Sequence, residues 1–142
     1  MQNNSFTYTF KTSKEAEKLY SLLLEVDQWW SGLFGENITG ESRKAGDEFV
    51  FKAGGGLHDT KQKLIELIPG KKVTWEVVDS HLSFLKDTGE WTGTKISFEL
   101  ARAGNETLVT FSHDGLTPGM ECYEACSGAW NSYLDNLKKK LS

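Results

Sequence analysis

The run from Met120 to Leu141 limits what this chain can become more than any other stretch. Tyr123, Cys126, Trp130, Tyr133, Leu134, Leu137 and Leu141 recur at steps of three and four, which sets them along one face of an α-helix. Thr117, Pro118 and Gly119 break the chain before it. Glu121 and Glu124 place negative charge in its first turns, and Lys138, Lys139 and Lys140 place positive charge in its last, as the helix dipole favours. A helix of about 22 residues is ~33 Å long. Such a rod is longer than a small domain needs to cap a sheet, so the sheet is expected to wrap around it.

The sheet follows from alternation. Phe6, Tyr8 and Phe10 alternate with Thr7 and Thr9, the period of a strand with one covered face. Ser13 and Glu17 then signal a helix start, Leu19, Leu22, Leu23 and Val26 give it an apolar stripe, and Asp27 to Gly32 read as a second short helix. Residues 35–47 read as a connector. Strands are expected at 48–52, 60–68, 72–79, 94–100 and 107–113, with a glycine-rich hairpin tip at 53–57, a Pro69-Gly70 turn and an Ala103-Gly104-Asn105 turn between them. Residues 80–93 read as a loop or an irregular edge strand. The expected class is α+β: a curved antiparallel sheet of about six strands wrapped around the long C-terminal helix, with two short helices between strands 1 and 2.

Length and charge narrow the function. With 142 residues, 38% of them hydrophobic, the sequence fits one domain spanning 1–142. It contains no apolar run long enough to span a membrane and no secretion signal, which predicts a cytoplasmic protein. The formal charge is -4 and arginine occurs only at Arg43 and Arg102, so nucleic acid is not an expected partner. His58, His81 and His113 lack metal-ligand spacing, and Cys122 with Cys126 cannot complete a zinc shell, so neither metal nor cofactor is expected. The two cysteines read as small apolar packing residues, because a helical backbone holds such a pair poorly for a disulfide.

One helix of ~10 Å diameter cannot fill a strongly curved sheet, so an internal cavity of at least ~300 Å³ is expected. Strand parity and the helix face aim Phe49, Phe51, Trp75, Val77, Ile96, Phe98, Phe111, His113, Tyr123, Cys126 and Trp130 inward, as candidate ligand-binding residues. Each of them is also a candidate for plain core packing. His113 continues the inward parity at a strand end, where it suits a ligand contact, a general base or a structural hydrogen bond. His58 and Asp59 fall on the glycine-rich tip and are expected in solvent. Trp29, Trp30 and Trp91 either advertise a surface for a protein partner or seal the interior.

In order, Phe10 to Ser31 (FKTSKEAEKLYSLLLEVDQWWS), Gly46 to Phe51 (GDEFVF), Leu64 to Trp75 (LIELIPGKKVTW), Thr94 to Leu100 (TKISFEL), Thr107 to Leu116 (TLVTFSHDGL) and Gly128 to Leu141 (GAWNSYLDNLKKKL) resemble the START-like superfamily. This is the SRPBCC or helix-grip fold, which includes the birch-pollen-allergen-like proteins. Within it the chain is similar to homologues of the activator of the heat-shock-protein-90 ATPase. Residues 80–93 do not match, and the family's usual double glycine is here Ala45-Gly46. The resemblance implies a pocket for a small hydrophobic or aromatic molecule, such as a lipid, sterol or polyketide. It also implies two alternatives, a co-chaperone-like module that engages a chaperone and a cyclase or dehydratase that uses His113. Catalysis has no motif of its own in the sequence.

Overall fold

The computed structural model describes residues 5–141. Seven strands, β1 (Phe6–Thr12), β2 (Asn37–Gly40), β3 (Glu48–Ala53), β4 (His58–Ile68), β5 (Lys72–Leu82), β6 (Lys95–Ala103) and β7 (Glu106–Asp114), form one antiparallel sheet. Its order is β1-β7-β6-β5-β4-β3-β2. The short helices α1 (Ala16–Leu24) and α2 (Val26–Trp29) lie between β1 and β2, and the long helix α3 (Tyr123–Lys140) ends the chain. The expected architecture is present with one strand more. β2 falls inside the stretch read as a connector, because Asn37, Thr39 and Gly40 are exposed and carry no alternation that marks a buried face.

Parity holds along the interior. Phe49, Phe51, Val73, Trp75, Val77, Ile96, Phe98, Val109 and Phe111 are all buried, because a strand sends alternate side chains to one face. Register shifts in β4, between Lys61 and Gln62 and between Leu64 and Glu66, break the ladder in the way that bends a strand and raises its twist. β5 runs past the end of its pairing with β6, and residues 83–94 return as a loop.

The C-terminal half of α3 is clamped to β1. Thr12 Oγ1 donates to Leu141 O (3.1 Å), and Tyr8 Oη donates to Asp135. Leu134 and Leu137 are fully buried there. The centre of the molecule is filled by two tryptophans, in the sealing role the sequence allowed: Trp29 stands 5.0 Å, centroid to centroid, from Phe98 and 6.1 Å from Trp75, and Trp30 stacks on Phe51 at 4.3 Å. Trp29, Trp30 and Trp91 are 1%, 2% and 2% exposed, so they cannot form a surface patch for a partner. Their burial follows from packing flat indoles between sheet and helix, where each covers more apolar area than any other side chain.

Candidate functional site

A strongly apolar pocket lies along the N-terminal part of α3, where that helix carries its smallest residues. Ala125, Gly128, Ala129 and Ser132 line a pocket of about 350 Å³ together with Cys126, Trp130 and Tyr133 of the same helix. The opposite wall comes from Phe51 and Ala53 of β3, His58 of β4, and Gly54 and Leu57 of the turn between them. Trp30 closes the inner end, Phe34 comes from the segment after α2, and Phe84 and Trp91 come from the 83–94 loop. Gly54, Gly55 and Gly56 take φ of 61°, 71° and 97°, left-handed values that glycine adopts without strain and that turn Leu57 over the mouth.

The pocket is open rather than enclosed. Phe34, Leu57 and Phe84 stand at its rim with 47%, 53% and 45% exposure. The closed central cavity expected from the sequence is replaced by an open pocket, because Trp29 and Trp30 occupy the middle.

Of the candidate ligand residues, Phe51, Cys126 and Trp130 line this pocket. Phe49, Trp75, Val77, Ile96, Phe98, Phe111 and His113 lie in the packed core instead, and half-buried Tyr123 stands outside the lining. His58, Phe84 and Trp91 were not among the candidates. His58 is not in solvent as expected. Its ring meets Phe51 and Trp91 edge to face at 5.3 and 4.7 Å, and burial lowers its pKa to about 4. The small residues at 125, 128, 129 and 132 form a second stripe at helical spacing beside the bulky one, a signal in the sequence that the reading of the bulky face passes over.

His113 is locked. Trp130 Nε1 donates to its Nδ1 (3.0 Å), so the proton sits on Nε2, which donates to Thr94 Oγ1 (2.8 Å); Thr94 in turn donates to Trp91 O (2.6 Å). Burial, with His58 nearby, lowers its pKa to about 3 and keeps it neutral. Both nitrogens are spent on structure. Of the roles the strand-end position allowed, the structural hydrogen bond is the one the described residues make.

Two carboxylates hold the pocket walls in place. Glu36 accepts from the N–H groups of Gly32 (2.9 Å) and Phe34 (3.0 Å) and from Tyr133 Oη, tying the Phe34 segment to α3. Burial works to raise the Glu36 pKa, but the hydrogen bonds from Tyr133 and the backbone outweigh it and leave it lowered. Burial, and then the Glu36 carboxylate, push the Tyr133 phenol upward. Glu90 accepts from the N–H groups of Glu121 (2.9 Å) and Cys122 (3.1 Å) and so fastens the 83–94 loop to the start of α3. Cys122 and Cys126 are joined as a disulfide there, against the expectation of free packing cysteines. Cys122 precedes the regular helix, and the Cα atoms lie 5.6 Å apart, within disulfide reach.

Among the described residues no cluster of His, Cys, Asp or Glu could hold a metal ion, and no helix is long and apolar enough to cross a membrane. A curved antiparallel sheet gripping a C-terminal helix, with two short helices after the first strand, defines a START-like, helix-grip protein. Residues 13–142 match the family model of the activator of Hsp90 ATPase homolog 1-like protein, and the chain belongs to that family. Among proteins with curated descriptions none matches. The solution structure of the Aha1 dimer from Colwellia psychrerythraea is similar, with 27% identity, 99% of this chain and 96% of that one covered, and a TM-score of 0.75. CalU16 from Micromonospora echinospora (15% identity, coverage 97% and 76%, TM-score 0.68) and ginseng major latex-like protein 151 from Panax ginseng (16%, 96% and 96%, 0.67) share the fold.

Proposed function

We propose that this protein binds a small hydrophobic or aromatic molecule in the pocket between β3, β4, the 83–94 loop and α3. The observation that carries this reading is the pocket itself: about 350 Å³ walled by Trp30, Phe34, Phe51, Phe84, Trp91, Trp130 and Tyr133. That volume falls at the small end of the range for ligand sites, which combine apolar walls with a few polar groups. Exposed aromatic residues at the rim favour the same reading, since an apolar group at a pocket mouth gains contacts when a ligand arrives. The wall residues, rather than the sheet-centre residues Trp75, Val77, Ile96, Phe98 and Phe111, are the ligand contacts in this proposal. With both nitrogens of His113 engaged, binding is better supported than acid–base turnover.

The experiment is native mass spectrometry of the purified protein, paired with titration of Nile red. Retained small molecules, or quenching of the pocket tryptophans on titration, are the expected results. No uptake of any neutral aromatic probe would sink the proposal.

A second reading, engagement of a chaperone in the cytoplasm, draws on the family description and the Aha1 neighbour. It needs a surface other than Trp29, Trp30 and Trp91, and the exposed trio Phe34, Leu57 and Phe84 offers one. A pull-down against the cell's own chaperones tests it, and recovery that survives Phe84→Ser would argue against that surface.

A further inference from the structure

Two residues of the pocket wall each carry a polar atom with no partner. Trp91 Nε1 and His58 Nδ1 are buried and, among the described residues, make no hydrogen bond. By contrast the indole N–H groups of Trp29, Trp75 and Trp130 donate to Leu23 O, Ser42 Oγ and His113 Nδ1 at 2.9, 2.9 and 3.0 Å. Both Trp91 and His58 line the pocket, and their rings stand 4.7 Å apart. A third such atom, Gln62 Oε1, belongs to a residue outside the lining. Folded proteins rarely leave a buried donor without an acceptor, because the group has given up water and gained nothing. An occupant that brings an acceptor removes that penalty as it binds.

The walls restrict the occupant's charge. Among the described residues no Asp, Glu, Lys or Arg lines the pocket, so an ionised headgroup would lose its hydration with no opposite charge to meet it. His58 supplies no charge either, since burial lowers its pKa to about 4. An indole N–H can only donate, whereas a neutral imidazole nitrogen donates or accepts according to its tautomer.

Resting on the pocket reading above, we propose that the occupant is an uncharged aromatic molecule carrying a hydrogen-bond acceptor oxygen, read by Trp91 Nε1 with His58 Nδ1 as the second polar contact. Aromatic walls hold the ring system and the indole N–H selects the oxygen. A site built to pair a polar group discriminates against the analogue that lacks it. Fatty acids and phosphorylated headgroups are disfavoured by the same walls.

Fluorene and 9-fluorenone test this, because they share one ring frame and differ by a carbonyl oxygen. In equilibrium dialysis against the full chain, fluorenone is expected to bind about tenfold more tightly than fluorene, the effect of one buried hydrogen bond. Fluorene-9-carboxylate is expected to bind more weakly than either. Trp91→Phe keeps a ring in the wall but deletes the N–H, so the fluorenone preference should collapse to within about twofold. The wild-type ratio needs no variant and stands even if Trp91→Phe folds poorly. Equal binding of fluorene and fluorenone by the wild type overturns the inference and leaves the pocket reading standing. Uptake of Nile red with neither fluorene nor fluorenone bound also overturns it, whereas no uptake of Nile red or of either ring compound overturns the pocket reading as well.

Discussion

Acid should loosen this protein well above the pH at which carboxylates titrate, and the two buried histidines set the size of the effect. In the unfolded chain each histidine takes up a proton near its ordinary pKa of 6.5; in the folded protein burial holds His113 to about 3 and His58 to about 4. Between those values the unfolded state binds more protons, so stability is complete above pH 6.5 and is lost as pH falls through the window. At pH 5 each histidine removes about 2 kcal/mol, from 1.5 pH units at ~1.36 kcal/mol each, or about 4 kcal/mol together. That is a large share of the ~5–15 kcal/mol typical of a domain. Glu36 and Asp47, whose pKa values are lowered from the ordinary 4.5 and 3.8, lose their contributions as pH falls through and below those values, so they weigh little at pH 5 and above. Urea denaturation followed by tryptophan fluorescence between pH 4.5 and 7.5 is the assay. The expected slope is about 3 kcal/mol per pH unit near pH 5, falling by about half in His113→Asn, which removes one of the two titrations. A flat profile from pH 7 to 5, or a slope that His113→Asn leaves unchanged, would refute the reasoning.

Other substitutions probe the walls and the core. Trp130→Phe deletes the donor to His113 Nδ1 and opens space beside it, at an expected cost of about 2–4 kcal/mol in urea midpoint measurements. Glu36→Gln weakens the tie between the Phe34 segment and Tyr133; amide exchange at Gly32 and Phe34 should speed up while exchange in β6 and β7 stays slow. Gly115→Ala would set a Cβ 2.7 Å from Thr94 Cγ2 at a φ of 104°, displacing the hydroxyl that holds His113. About 1–3 kcal/mol of destabilisation is expected, and a melting temperature equal to wild type would count against that picture.

Patterning alone carried the fold a long way. The helix face from Cys126 to Leu137 and the inward parity of Phe49, Phe51, Val73, Trp75, Val77, Ile96, Phe98, Val109 and Phe111 were legible because period 3.6 and period 2 follow from backbone geometry, whatever surrounds them. β2 was not legible, since an exposed edge strand has no apolar alternation to announce it. Nor was the division of inward residues between core and pocket. That division depends on how far the Trp29 and Trp30 rings reach into the middle, which is set by the turn between α1 and α2 and by the Trp29 Nε1 bond to Leu23 O. His58 and Trp91 reached the pocket for the same kind of reason: one opens β4 just after a glycine-rich turn, the other lies in a loop without pattern, and both face chain segments distant in sequence. Local spacing determined which faces are apolar; only the packing of the folded chain decided where those faces fail to meet, because a gap is a property of several elements at once and of no single stretch.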